Sequence, residues 1–173
     1  MIVLLWVYWP EEGVLEVRAP GTTTEIDALI SVFCGAVLHA AAPSGPRPGG
    51  FTLERLLDPD FRFHHAATDG IEAVDVTEME VQRGRLGASR LTFGAPPCAL
   101  PAFLDQLGAV VSVPRADMVV RSVRLRARFQ AVGRAWGRSV VFRMSAPDTT
   151  DLVGGAPEHL RLRRLLGEWG LAA

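Results

Sequence analysis

Apolar residues run without a break from Ile2 to Trp9, and a second short run spans Val14 to Ala19. Both are rich in β-formers, and Pro10 and Gly13 between them supply turn chemistry. The pair predicts a β-hairpin whose first strand is buried on both faces. Thr22 and Glu25 have capping-box spacing, each side chain placed to satisfy the other residue's backbone N–H. Behind them Ile26, Leu29, Ile30, Phe33, Val37 and Leu38 fall on one helical face, which predicts a helix ending near Ala42.

Residues 43–50 are too rich in Pro and Gly for a regular element. A short helix over Leu53–Leu57 is stopped by Asp58-Pro59, and an Asp69-Gly70 turn leads into a strand over Ile71–Arg83. A turn around Gly84 and Gly87 joins it to a strand over Arg90–Phe93. Leu100, Phe103, Leu104 and Leu107 make an amphipathic helix with Gly108 as its C-terminal cap. Asp117–Ala131 and Ser139–Met144 read as a long strand and its partner, joined through Gly133 and Gly137. The last helix opens on Pro157, carries Leu162, Leu165, Leu166 and Trp169, and ends at Gly170.

Hairpins that return through helices give an α+β fold: an antiparallel sheet of hairpins with helices packed mainly on one side. The divisions expected are an N-terminal hairpin–helix lobe over 1–42, a linker over 43–50 and a main α+β domain over 51–173. A single compact domain is the alternative at this length.

Charge adds what periodicity cannot. All eighteen basic residues are Arg. Residues 1–80 hold four Arg against thirteen acids, and residues 81–173 hold fourteen Arg against six. The total of −1 therefore hides a strongly polar chain, or a fold that pairs one half with the other. The lack of Lys alongside abundant Ala and Gly fits a GC-rich, bacterial-type coding bias, which weakens any argument from Arg chemistry. Two cysteines far apart, Cys34 and Cys98, point to a reducing cytoplasm rather than a disulfide scaffold. The apolar start lacks a basic n-region and meets Pro10 too soon to be a signal peptide or a membrane span.

The segment Val123–Phe129 alternates strictly, placing Arg124, Arg126 and Arg128 on one strand face and Val123, Leu125, Ala127 and Phe129 on the other. With Arg121, Arg138 and Arg143 nearby, this face is the candidate binding surface, and a nucleic-acid backbone is one ligand it could take. The competing reading is internal. In 71–83, Glu72, Glu78 and Glu80 share one parity and Ile71, Ala73, Met79 and Val81 the other. Two such strands side by side would form Glu–Arg ladders worth about 0.2–1 kcal/mol per pair. No aromatic is in phase with the Arg row to stack bases, so the paired reading leads. In the last helix Arg161 and Arg164 are spaced to pair with Glu158 and Glu168.

No catalytic motif stands out, and no metal or cofactor is expected. His64-His65 with Asp69 is the only histidine cluster and lacks ligand spacing. Cys98, just before a helix, has one activating feature and no family signature. The 145–155 loop offers Asp148, Thr149, Thr150 and Asp151 beside a Gly pair. Such a loop could bind a ligand, though Asp and Thr in turns more commonly satisfy local backbone groups. The expected function is a non-catalytic binding module, regulatory, adaptor or assembly, acting through the Arg-rich face and the aromatic first strand. Its partner would be another protein or a second copy. The alternatives are nucleic-acid binding through the Arg face and an enzyme built on the 145–155 loop.

Overall fold

The structure is a computed structural model that describes residues 4–9, 14–42, 50–84, 89–131, 137–147, 149–152 and 155–172. The expected turn residues Pro10, Gly13, Gly87 and Gly133, the linker residues 43–49 and the loop carboxylate Asp148 lie outside these stretches. The chain divides into two compact units, residues 1–47 and 48–173.

In the first unit β1 (Leu5–Trp9) and β2 (Val14–Arg18) pair antiparallel, Trp6 opposite Val17 and Tyr8 opposite Leu15. Helix α1 (Thr23–Ala36) starts on the predicted capping box: the Thr22 amide donates to Glu25 Oε2 (2.6 Å) and the Glu25 amide to Thr22 Oγ1 (3.4 Å). The Thr22 backbone N–H, and then its hydroxyl, hold the Glu25 carboxyl below its ordinary value. The helix stops six residues short of Ala42, because His39 adopts a left-handed φ of 50° and the Ala40 amide turns back to the Cys34 carbonyl (3.0 Å). The apolar positions Val37 and Leu38 thus lie in the turn beyond the helix rather than in it. Burial of the first strand on both faces does not hold: Trp6 is half-buried and Tyr8 exposed. A two-stranded ribbon with one helix has too few layers to enclose it.

The second unit is a five-stranded antiparallel sheet in the order β4-β3-β5-β6-β7: β3 Ile71–Arg83, β4 Arg90–Cys98, β5 Met118–Phe129, β6 Ser139–Ser145 and β7 Thr149–Thr150. Helices α2 (Leu100–Val110) and α3 (Pro157–Glu168) complete an α+β fold. Leu100, Phe103, Leu104 and Leu107 of α2 are buried at i, i+3, i+4 and i+7, and Leu162, Leu165 and Leu166 of α3 with Trp169 at its C-cap repeat that spacing. They join Leu53, Leu56 and Leu57 and the inner side chains of the sheet in one core. Each fully buried side chain contributes about 1.5–3 kcal/mol. The helix α2 runs on to Val110 with Gly108 inside it, so Gly108 is not its cap.

Two features of the sheet depart from simple alternation. β4 continues through Pro96-Pro97 to Cys98, which is tolerated because β4 is an edge strand and Pro there forfeits no ladder hydrogen bond. The β3–β5 register shifts at Ile71/Ala73, Val76/Glu78 and Glu80/Val81. Each shift inserts one unpaired residue (Glu72 and Thr77 on β3, Arg121 on β5) and moves the next core position by three instead of two. The core side of β3 therefore reads Ile71, Val74, Val76, Met79, Val81, and that of β5 reads Met118, Val120, Val123, Leu125, Ala127, Phe129.

A Gly170 φ of 65° reverses the chain after α3, and the Arg55 guanidinium packs against its Cα. Asp69 and α3 fasten the irregular stretch before β3. The buried Asp69 carboxylate accepts from the Ala66 amide (2.7 Å) and from Arg164, while Arg161 donates to the Asp69 carbonyl (2.5 Å). Trp169 Nε1 donates to the His64 carbonyl. Arg161 consequently does not pair with Glu158, which is taken by Arg138 (3.4 Å); Arg164 does pair with Glu168 (3.5 Å). No helix of the described residues is long and apolar enough to cross a membrane.

Candidate functional site

The sheet face opposite the core gathers the predicted arginines. Between the bulges at Glu72 and Thr77 the parity of β3 is inverted, so Asp75 stands directly opposite Arg126, and Glu78 stands opposite Arg124. Glu72, Glu78 and Glu80 do lie beside the Arg row, as expected. The correction concerns Ala73, expected on the core side with Ile71 but paired with Arg128, and Asp75, the acid that alternation alone assigns to the wrong side. Apolar pairs spaced by three (Ile71/Val74, Val76/Met79, Val120/Val123) are the sequence signal that marks the bulges.

The result is an acidic row on β3 beside a basic row on β5. Arg126 Nη2 lies 2.9 Å from Asp75 Oδ2, and Arg128 Nε 3.5 Å from the same oxygen. Arg128 Nη1 reaches Glu72 at 3.4 Å and Arg124 Nη1 reaches Glu78 at 3.8 Å. From β6, Arg143 pairs with the other oxygen of Glu78, and from β4, Arg90 lies 3.5 Å from Glu80. Arg121 Nε donates to Gln82 Oε1 (2.7 Å), and Arg138 is held by Glu158 at the sheet margin. All six candidate arginines thus have partners within the chain.

Burial is uneven across this ladder. The Asp75 side chain is 10% exposed, against 57% for Glu72 and 45% for Arg124. Asp75, beneath two guanidinium groups, is the anchor of the row, while the Nε atoms of Arg126 and Arg128 are enclosed without a hydrogen-bond partner. Val141, opposite Arg126 on β6, is an exposed apolar residue on the same face.

The loop after β6 is used structurally. Asp151 Oδ1 accepts the Arg143 amide (2.6 Å), Thr150 Oγ1 donates to the Arg143 carbonyl (3.0 Å), and the Leu152 amide donates back to Thr150 Oγ1 (3.2 Å). Thr149 pairs with Ser145 as the start of β7 and is exposed. These are the turn bonds that Asp and Thr supply to a reversing backbone. Arg163 braces the same loop by donating twice to the Leu152 carbonyl (2.9 and 2.7 Å). A cavity of about 910 Å³ lies elsewhere, lined by Glu54, Arg55, Asp58, Arg115 and Asp117 over Leu57 and Met118, and no predicted site residue borders it. Among the described residues no three of His, Cys, Asp and Glu come together as a metal site would require; His64 and His65 are exposed, and Cys98 lies near Gln106 Nε2 (3.7 Å).

Comparison with family models, with curated proteins and with solved structures gives no match.

Proposed function

We propose that the chain is a non-catalytic binding module that docks a protein partner on the ladder face of its sheet. The observation that carries this reading is the closure of the Arg row by Glu72, Asp75 and Glu78. A row already neutralised from the neighbouring strand offers little to a phosphate backbone, whose affinity comes from unpaired cations displacing counterions. Adjacent stripes of opposite sign with an exposed Val141 between Ser139 and Arg143 suit a protein surface of matching pattern, where charge sets register and the apolar contact adds affinity. The free thiols Cys34 and Cys98 support a reducing compartment, and we assign the module to the cytoplasm.

The test combines two readouts on the full chain. A photo-reactive side chain at Val141 should give a discrete protein adduct in cells that Arg124→Glu abolishes, while the same group at the exposed Val110 of α2 gives none. Random duplex and single-stranded oligonucleotides, titrated from low to physiological salt, should show no binding that depends on Arg124 and Arg126. Steeply salt-dependent binding lost in the Arg124→Glu/Arg126→Glu double variant would replace this reading with nucleic-acid binding. Absence of an adduct at Val141 would overturn it.

A further inference from the structure

Arginine meets the acids of the sheet face and of α3: Glu72, Asp75, Glu78 and Glu80 on β3, Glu158 and Glu168 on the helix. Glu54, Asp58 and Asp117 have no ion pair, and all three border the cavity of about 910 Å³. One wall is the 3₁₀ turn Leu53–Leu57, rooted in the core by Leu53 and Leu56 and continued by Asp58-Pro59. The other is the turn Arg115–Asp117 before β5. It is held by the Asp117 amide on the Pro114 carbonyl (2.9 Å) and the Gly84 amide on the Asp117 carbonyl (2.7 Å). The buried Leu57 and Met118 form the floor. The two arginines at the rim are engaged elsewhere. Arg115 pairs with Asp105, outside the cavity, at 3.2 Å, and the Arg55 guanidinium lies against Gly170. Asp58 Oδ1 accepts from the Asp60 amide (3.0 Å), which fixes the carboxylate and leaves its second oxygen to a ligand.

We infer that this cavity binds a small organic cation, an ammonium or guanidinium carried on an apolar body. The charged end lies among Glu54, Asp58 and Asp117, where its N–H groups donate to carboxylates, and the body lies on Leu57 and Met118. Charge decides the sign: three carboxylates stand against two guanidiniums, one of which Asp105 already neutralises. An anion would meet unopposed carboxylates. A bare metal ion fits no better. Among the described residues no three of His, Cys, Asp and Glu come close enough to hold one, and the aliphatic floor supplies no hard oxygen. The volume falls within the roughly 300–1,000 Å³ of small-molecule sites. No residue of the ladder face borders the cavity, so this site is independent of what that face binds.

The probe is 4-phenylbutylamine, with 4-phenylbutanol and 5-phenylvalerate as its neutral and anionic counterparts on the same phenylbutyl chain. Each is titrated into the full chain up to about 10 mM and followed by amide chemical shifts. The amine should saturate, move the amides of Asp58, Gly84 and Asp117, and bind about tenfold or more tighter than either counterpart. Glu54→Gln and Asp117→Asn, both at exposed positions, should each weaken it about fivefold. Arg115→Gln removes a positive charge from the rim and frees Asp105, so it should tighten binding about twofold, a gain that loss of fold cannot imitate. Glu168→Gln, which does not border the cavity, should change nothing. A blocked tripeptide centred on lysine offers the same ammonium tied to a backbone, and should bind about tenfold more weakly than the free amine. An amine that fails to saturate by about 10 mM would overturn the assignment. So would equal binding of the alcohol, the carboxylate or the tripeptide, or amine binding that survives the Glu54→Gln/Asp117→Asn double variant.

Discussion

The ladder is a claim about energy, and a double-mutant cycle on Arg126 and Asp75 measures it. Asp75 is nearly enclosed, its side chain 10% exposed, and Arg126 meets it at 2.9 Å while itself 32% exposed. Removing one partner of a fully buried pair costs about 3–5 kcal/mol, because the other charge is left unpaired out of water. Here Arg128 still lies 3.5 Å from Asp75 and solvent reaches the Arg126 head, so Arg126→Met should cost about 1.5–2.5 kcal/mol. The coupling energy from the Arg126→Met/Asp75→Asn cycle should be about 1 kcal/mol. The Arg115–Asp105 pair is an internal standard: at 3.2 Å it is geometrically similar, but its side chains are 41% and 79% exposed. Its coupling should be at most about 0.3 kcal/mol. Urea unfolding followed by circular dichroism and tryptophan fluorescence gives both values, provided the two probes coincide. Repeating the cycles in 1 M salt, where the screening length is about 3 Å, should erase the exposed coupling and preserve the enclosed one. A coupling below ~0.3 kcal/mol for Arg126–Asp75, or one that salt erases, would refute the reasoning. The arginines would then be loosely held and free to turn toward an anionic partner.

Three further outcomes follow from the packing. Phe103→Ala on α2 should destabilise the second unit by about 3–5 kcal/mol in the same urea assay, since the ring is fully buried against Phe93 at 5.3 Å and leaves a cavity. Gly170→Ala should cost about 1–2 kcal/mol, because a φ of 65° strains any side chain and the Arg55 guanidinium occupies the space a Cβ would need. The Asp69 carboxyl is held below its ordinary value, first by the Ala66 amide and then by Arg164 and Arg161, against the opposing effect of its burial. A depressed carboxyl contributes stability above the unfolded value, about 3.9 for Asp, and loses it as pH falls through the folded value. Asp69→Asn should therefore lower the melting temperature at neutral pH and flatten its fall below about pH 4; an unchanged acid limb would show that other carboxyls set it.

Much of the second unit is legible in the sequence because its signals are periodic and local. The i, i+3, i+4, i+7 spacing of Leu100–Leu107 and Leu162–Trp169 places both helix faces, and strict alternation over 123–129 places the Arg row. What alternation misses is where it stops. A bulge is one extra residue paid out against the neighbouring strand, so Glu72, Thr77 and Arg121 become bulges only through the register of the β3–β5 pairing. The apolar pairs Ile71/Val74 and Val76/Met79 mark where alternation breaks, but only the β3–β5 register shows that Asp75 meets Arg126. Long-range partners are hidden for the same reason: Arg161 has Glu158 at the right helical spacing, but Asp69 reaches it from ninety-two residues away. The end of α1 was obscured differently, since apolar Val37 and Leu38 continue the helical period through a chain reversal at His39.

The contrast between an acid-rich first half and an Arg-rich second half looks, along the sequence, like a molecule with two poles. In the fold much of it is a consequence of strand order. β3 ends just past the boundary between the halves, and antiparallel pairing lays it against β5, the most Arg-rich strand of the second half. Asp69, Glu72, Asp75, Glu78 and Glu80 from one side of that boundary meet Arg90, Arg124, Arg126, Arg128, Arg143 and Arg164 from the other. The asymmetry therefore acts first as an instruction for pairing: a register slip of β3 against β5 would set charges against valines, and only the bulged register brings Asp75 under Arg126. Whatever binds this face must compete with those internal partners, so its contribution is greatest where the ladder is weakest. Along β5 that point is Arg124, 45% exposed and 3.8 Å from Glu78, with the neighbouring Val141, rather than Arg126, which is 32% exposed and held at 2.9 Å by the enclosed Asp75.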